Sequence, residues 1–532
     1  MNKNLIFSIF LQVVLAGIYY YVFLPVINPT CFSFWVYVMA LIINFSVITS
    51  IFTVSRRDLR VIEKVQDLPK LILYPMTAIF IIITGIMVVN IIVSPIFNAK
   101  SYSQRISVDE TGEFTKDIEE VDFKKVPLLD RDSTEKLGDR VMGQNSDYVS
   151  QFYVSDDYTQ INYNDEILRV TTLEYDGLIK WITNRDEGIK GYITVNSVNG
   201  ESKLVKLEKG LKYMKSAFFN DNLTRKIRFQ YPFTPLGESM FEIDNEGNPY
   251  YITPTFSYTG VTNKTKVTGA IITDPITGKS KKYDLKDIPT WVDNVYPAYL
   301  VLEQVNHWGT YRDGFINSIF GQKNVVNTTE GYNYLALNDD IYLYTGITSV
   351  LSDESNLGFI LTNLRTGETR YYDVPGAEEY SAMDSAQGQV QQMKYVSTFP
   401  LLINLNGKPT YLVSLKDNAG LVKMYGFVDV KDYQKVVVTD ASLGINKAME
   451  NYLNSSSEEI SDDLLNKKTI TVKRITSAVI DSNTYYYIVD EDNQKYMVPV
   501  KVSNKLPFLG EGDNLTIMYY KDADIIEITK ID

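Results

Sequence analysis

The chain has 532 residues, 45% hydrophobic and 22% charged, with 65 acidic against 52 basic side chains and a formal net charge of −13. The acidic balance argues against a nucleic-acid binder. One cysteine, Cys31, excludes a disulfide framework and a cysteine-based structural zinc site, and one histidine, His307, leaves almost no room for histidine-centred chemistry.

No charged side chain occurs from Asn4 to Ser55 or from Leu71 to Phe97, which excludes a soluble cytoplasmic protein. A membrane span needs roughly 20 mostly apolar residues. The first stretch is long enough for two and breaks at Leu24-Pro25-Val26-Ile27-Asn28-Pro29-Thr30, where two prolines and an Asn cannot continue a helix. Transmembrane helices are therefore predicted over 5–24, 31–53 and 71–93, with Pro75 near the start of the third and Pro95 marking its end. Tyr19, Tyr20, Tyr21, Phe23, Trp35 and Tyr37 fall where an aromatic belt would lie.

The loop between helices two and three carries Arg56, Arg57, Arg60, Lys64 and Lys70, whereas the first hairpin carries no basic residue. The positive-inside rule puts that loop and the N-terminus in the cytoplasm and everything after Phe97 outside. The expected location is thus the plasma membrane, multi-pass, with an extracytoplasmic C-terminal region. A cleaved signal peptide in place of helix one is the rival reading, but its n-region holds a single Lys and no small-x-small site precedes a polar start. Gln12, Asn44 and Asn90 are the polar side chains to explain within the spans. Interhelical hydrogen bonds, within the bundle or between copies, are their expected role, and no ionisable residue supports an ion route.

With six basic and three acidic side chains in the anchor, residues 1–97, the remainder holds 46 basic and 62 acidic ones, a net charge of −16. Residues 98–160 read as a charged connector in which Asp132-Ser-Thr-Glu135 is placed to cap a short helix. Residues 161–455 are repetitive. Gly191 to Gly200, Gly269 to Gly278 and Gly358 to Gly367 each enclose a strand and an Asn- or Asp-led turn, and each is followed by another strand. The turn glycines Gly200, Gly278 and Gly367 supply the positive φ that closes such a hairpin. A weaker fourth copy starts at Gly426 and lacks the second glycine. The preceding segments repeat as well: Phe241–Pro249 leads into a strand much as Tyr334–Asp340 and Leu402–Pro409 do. The unit is a four-stranded antiparallel meander of about 50 residues, recurring every ~80–90 residues, with helical segments near 175–184, 296–308, 377–392 and 445–453 between copies.

The hairpins, Asp274 to Gly278 most closely and Asn363 to Gly367 with Asn for Asp, resemble those of PepSY-type modules, small extracytoplasmic helix-plus-meander domains. Val126-Pro-Leu-Leu-Asp-Arg-Asp132, Lys136-Leu-Gly-Asp-Arg140, Glu378-Glu-Tyr-Ser-Ala-Met383 and Asp417-Asn-Ala-Gly-Leu-Val-Lys423 carry a broader likeness over nearly the whole chain. On these the chain resembles a largely uncharacterised family of bacterial multi-span membrane proteins with a large extracytoplasmic domain, sometimes labelled CvpA-like (colicin V production). The resemblance implies a cell-envelope protein and supplies no activity.

After a polar hinge at 456–466, residues 467–532 read as a small OB-like β-barrel, with strands expected at Thr469–Ile480, Thr484–Val489, Lys495–Val500, Leu515–Tyr520 and Ile525–Ile528. The expected fold class is membrane-anchored α+β: three helices, serial meander and helix units, and this barrel.

Catalytic signals are sparse. There is no Gly-x-Ser-x-Gly elbow, and Ser133-Thr-Glu-Lys136 has Ser-x-x-Lys spacing without any supporting motif. A glycosidase needs only two carboxylates, and Asp130/Asp132, Asp156/Asp157, Asp339/Asp340 and Asp490/Glu491/Asp492 are candidates in turn-like places. Asp244-Asn-Glu-Gly247 and Asp490-Glu-Asp-Asn493 partly resemble calcium loops but lack the twelfth-position Glu. No catalytic residue, cofactor or metal is assigned. The expected function is a non-enzymatic binding or scaffold protein of the bacterial envelope, holding a protein or cell-wall polymer, with homo- or hetero-oligomers through the helices as an option and nucleic acid excluded. The alternatives are a carboxylate-dependent cell-wall glycan hydrolase and a structural subunit of a larger membrane assembly.

Overall fold

Three helices, Lys3–Phe23 (α1), Phe32–Val54 (α2) and Leu68–Ile92 (α3), open the chain in the computed structural model, which describes residues 3–54, 68–350, 352–455, 465–480, 483–519 and 525–531. All three are long and apolar enough to cross a membrane, and few or none of the residues in each span are buried by protein. An apolar helix left uncovered in this way is suited to lipid rather than to water. Leu24 ends α1 in a left-handed conformation (φ 51°), and Pro25 then removes a donor. A fourth helix, Pro95–Ser103 (α4), follows α3 with proline where no backbone N–H is needed. Arg56, Arg57, Arg60 and Lys64, which carry the expected orientation, and residues 456–464 of the expected hinge lie outside the described residues.

The chain divides into two compact units, one of residues 1–114 and 125–381, the other of 115–124 and 382–532. The first holds the helices and three antiparallel meanders. Thr159–Tyr163, Glu166–Tyr175, Ile189–Asn196 and Ser202–Leu211 pair in chain order. Met240–Ile243, Pro249–Tyr258, Thr265–Thr273 and Ser280–Asp284 do the same, as do Asn333–Leu337, Asp340–Ser349, Ser352–Asn363 and Thr369–Tyr372. Buried Leu173, Tyr192, Ile193, Phe241 and Tyr251 share one core across the first two meanders. Val301, Val305 and Trp308 of the Ala298–Tyr311 helix pack against Leu343 and Ile360 of the third.

The last hairpin of each meander has one local design. Asn196, Asp274 and Asn363 accept backbone N–H groups of the residues two and three further on through their side-chain oxygens, at 2.8–3.2 Å. Their carbonyls accept the N–H of Gly200, Gly278 and Gly367 at 2.8–2.9 Å, and those glycines have φ of 76°, 71° and 78°. The chain leaving the preceding segment then lies across the turn. Leu129 donates to the Ser197 carbonyl, Lys212 and Tyr213 both donate to that of Pro275, and Val295 and Tyr296 both donate to that of Leu364. The same joint thus recurs at each successive meander.

The stretch 98–160, read from its charge as a connector, is ordered structure. Val108–Gly112 pairs in parallel with Thr369–Tyr372, and Phe152–Val154 pairs with Glu166–Tyr175. The helix Arg131–Gly143 is capped by Asp130, whose side chain accepts from Ser133 N at 3.1 Å, two residues before the expected cap. Phe114, Ile118, Val121, Phe123, Val126 and Leu128 are all buried, and this spaced apolar set was masked by the acids and lysines between its members.

In the second unit, Leu401–Leu405, Lys408–Lys416, Val422–Asp429 and Val436–Asp440 form a fourth meander covered by the helix Ile445–Ser455. Its last turn lacks glycine, and Asp429 is closed instead by Lys435. The Glu120 carboxylate accepts the backbone N–H groups of Asn406 and Gly407 in the first hairpin turn. A C-terminal half-barrel follows. Its long strand Asn466–Ile480 pairs with Asn514–Tyr519 through its first half and with Asn483–Asp490 through its second.

Candidate functional site

A cleft of about 200 Å³ opens where the first two meanders meet the start of the Ala298–Tyr311 helix. Asp157 and Tyr158 come from the loop before Thr159–Tyr163, Thr172 and Glu174 from the next strand, and Lys215 from the segment after Ser202–Leu211. Glu238, Ser239 and Phe241 line it from the second meander, and Tyr299 from the helix. Thr171 holds the loop in place by donating to the Ser155 and Asp157 carbonyls at 3.0 and 3.1 Å.

The cleft lining carries Asp157, Glu174 and Glu238 together with Arg131 and Lys215, and the Lys215 ammonium lies between carboxylates. Lys215 Nζ lies 2.8 Å from Asp157 Oδ2 and 3.8 Å from Glu238 Oε1. Glu174 is 5% exposed. Its burial pushes the carboxyl above its ordinary range, against the hydrogen bond from Ser216 and the charge of Lys215. Thr172 donates to Glu174 Oε1 at 3.4 Å and is itself 3.5 Å from the Tyr251 hydroxyl. The Tyr158 hydroxyl, also in the lining, is buried without a hydrogen-bond partner among the described residues. This set can bind a polar group through hydroxyls and carboxylates, or donate a proton from Glu174.

A second pair of carboxyl groups, Glu242 and Asp293, is sealed from solvent. Glu242 accepts the N–H of Asp293 at 2.9 Å, and the N–H and side-chain amide of Asn294 at 2.9 and 3.0 Å. Burial raises Glu242 to about 7 despite these three donors. Asp293 rises well above its usual range through burial and the neighbouring Glu242 charge, and it accepts from Asn162 N at 2.7 Å. Asn294 also donates to the Gln160 carbonyl at 3.0 Å. The pair ties the second meander and the 293–294 loop to the first meander.

Several of the other sequence candidates have structural duties. Asp340 is gripped by Arg365 at 2.8 and 2.7 Å and by Asn363 at 2.8 Å, while Asp339 takes a positive φ in the turn. Asp244 and Asp490 each close their own turns, and Asp490 also receives the Tyr496 hydroxyl at 2.9 Å. Ser133 is buried in the capped turn of its helix. Among the described residues no group of three or more His, Cys, Asp or Glu is arranged to hold a metal ion. His307 Nδ1 accepts from Arg105 at 2.6 Å, and burial plus the Arg105 charge pushes it down to about 4, so the ring is neutral at pH 7.

Within the spans, Gln12 donates to the Leu41 carbonyl of α2 at 2.9 Å. Asn44 makes no side-chain hydrogen bond among the described residues. Asn90 looks outward from α3: it donates to the Val261 carbonyl at 3.1 Å and accepts the Val261 N–H at 2.8 Å, so its partner is a loop of the second meander rather than another helix. The α1–α2 turn joins the same region. Ile27 donates to the Pro232 carbonyl, and Thr262 donates to that of Thr30.

Sequence reasoning named Asp157 but missed Glu174, Lys215, Glu238, Glu242 and Asp293. None of them falls in a recognisable motif, and only folding gives each its partners. No protein-family model matches the chain, and no curated protein matches it in sequence.

Proposed function

We propose that the protein is a membrane-anchored, extracytoplasmic binding and scaffold protein of the cell envelope, with the basic 56–70 loop inside and the meanders outside. The observation that carries this reading is the mounting of the second meander and the segment before it on the apolar helices, through the paired side-chain bonds of Asn90 to Val261 and single backbone bonds at Thr30–Thr262 and Ile27–Pro232. Such a mounting presents serial sheets at a fixed place beside the membrane, which suits holding a protein or polymer partner. The half-barrel is read as OB-like. Its strand order runs from Ile525–Glu527 through Lys495–Pro499, Asn483–Asp490, Asn466–Ile480 and Asn514–Tyr519 to Lys530–Ile531, so one terminal segment meets both edges, which supports that reading.

A photoreactive residue in place of Tyr299, which is 62% exposed at the cleft, tests the proposal in native membranes. A discrete adduct on the full-length chain is expected, and its absence at this position and at Ile316 overturns the binding role. A second reading, a cell-wall glycan hydrolase, is favoured by one observation: Glu174, biased towards its protonated form, shares a cleft with Asp157. New reducing ends from glycan treated with purified protein, lost in Glu174→Gln and Asp157→Asn, would replace the scaffold role with this one.

A further inference from the structure

The last turn of α1 is surrounded by one segment of the outer region. Tyr21 donates to Asn220 Oδ1 at 3.1 Å, and its carbonyl accepts from Arg225 Nε at 3.1 Å. The Arg225 guanidinium also lies over the Tyr21 ring, 4.4 Å from its centroid. Phe229 meets the rings of Tyr20 and Tyr21 edge-on at 5.4 and 6.1 Å. Just beyond, Ile27 donates to the Pro232 carbonyl at 2.8 Å and Asn28 to that of Phe233 at 3.2 Å. Residues 219–233 therefore sit level with the end of the first apolar helix, where Tyr19, Tyr20 and Tyr21 cluster.

Their surface is unusual for an acidic protein. The helix Leu223–Gln230 buries Leu223, Ile227 and Arg228 and carries the half-buried Arg225 and Lys226 with no acidic residue, while Asp221, the acid of the 219–233 segment, faces Arg185 at 3.7 Å. Phe219, Phe229 and Phe233 remain 56%, 51% and 66% exposed. Exposed aromatic side chains beside basic ones, continuous with the end of a membrane-sized helix, match the chemistry of the bilayer interface: rings at the acyl boundary, cations at the phosphates.

We propose that residues 219–233 form a lipid-contacting collar, with Phe219, Phe229 and Phe233 inserted in the outer interface of the bilayer and Arg225 and Lys226 at its phosphates. The proposal rests on the anchored reading above and adds a lipid-facing surface outside the three spans. It makes the outer region peripheral to the membrane at this edge as well as tethered to it.

Site-directed spin labelling of the full chain, with Cys31→Ala and reconstituted in phosphatidylethanolamine–phosphatidylglycerol vesicles, tests it. Single cysteines replace Phe219 or Phe233 in the collar, Phe80 in α3, and Asn199 in an exposed hairpin turn. Collision with oxygen reports lipid, and collision with a water-soluble nickel chelate reports water. A several-fold excess of oxygen over chelate collision is expected at 80, 219 and 233, and the reverse at 199. If position 80 favours oxygen while 219 and 233 both favour the chelate, the collar is refuted with the anchor intact. If position 80 also favours the chelate, the anchored reading falls and the collar with it.

Discussion

The joints between meanders and the joint to the apolar helices follow opposite rules. Between meanders, the chain crosses a turn whose glycine must stay bare: a Cβ on Gly278 would meet the ring of Tyr213, and one on Gly367 the ring of Tyr296. At the anchor, one amide side chain, Asn90, substitutes for a strand partner of Val261. The first kind depends on an absent side chain and the second on a present one. The first meander is instructive because a Cβ at Gly200 meets Leu129 and Leu137 only at ordinary contact distance, 3.5 Å. The turn needs glycine for its φ in all three, but only the second and third need it for packing.

The largest expected effect follows from that difference. Gly367→Ala combines left-handed strain with a collision against the partly buried Tyr296 ring and should lower stability by about 2–4 kcal/mol, against about 1 kcal/mol for Gly200→Ala. Thermal unfolding of the full chain in detergent measures both, and equal losses would mean that the tyrosine does not define the joint.

The buried pair makes the seam of the first two meanders pH-sensitive. Glu242 titrates near 7 in the folded chain against 4.5 ordinarily, so the folded state holds a proton that the unfolded state releases. Its contribution is complete below about 4.5 and is lost as pH rises through about 7. Asp293→Asn removes the repelling charge and keeps an oxygen for Asn162 N, so it should be more stable than the parent at pH 8 and nearly equal at pH 4.5. A parallel pair of melting profiles would break this assignment.

Asn90→Ala leaves Val261 without both partners and should cost about 1–2 kcal/mol. Hydrogen exchange at the Val261 amide should accelerate while the Gly278 amide is unchanged, which separates the anchor joint from the array. The smallest effect belongs to Gln12→Leu, about 0.6 kcal/mol, because one interhelical bond in an apolar setting contributes little net stability.

Much of the chain is legible in sequence where the physics is local. Asn196, Asp274 and Asn363 announce their turns because each side chain bonds the backbone two and three residues later. The long charge-free runs announce the helices because lipid tolerates no exposed backbone and few polar side chains. The charged connector misled for a related reason: composition averages over Val121 and Phe123, whereas burial depends on each residue separately.

By itself, then, the sequence determined three membrane-sized helices, the mixed α+β class and the glycine turns, since all of these arise from contacts within a few residues. Tertiary structure alone decided that Asn90 serves Val261, that Glu242 meets the 293–294 loop, and that Glu174, Lys215 and Glu238 share a cleft. Those partners lie tens to more than a hundred residues apart, and a polar residue carries no local mark of which distant group will satisfy it once water is removed.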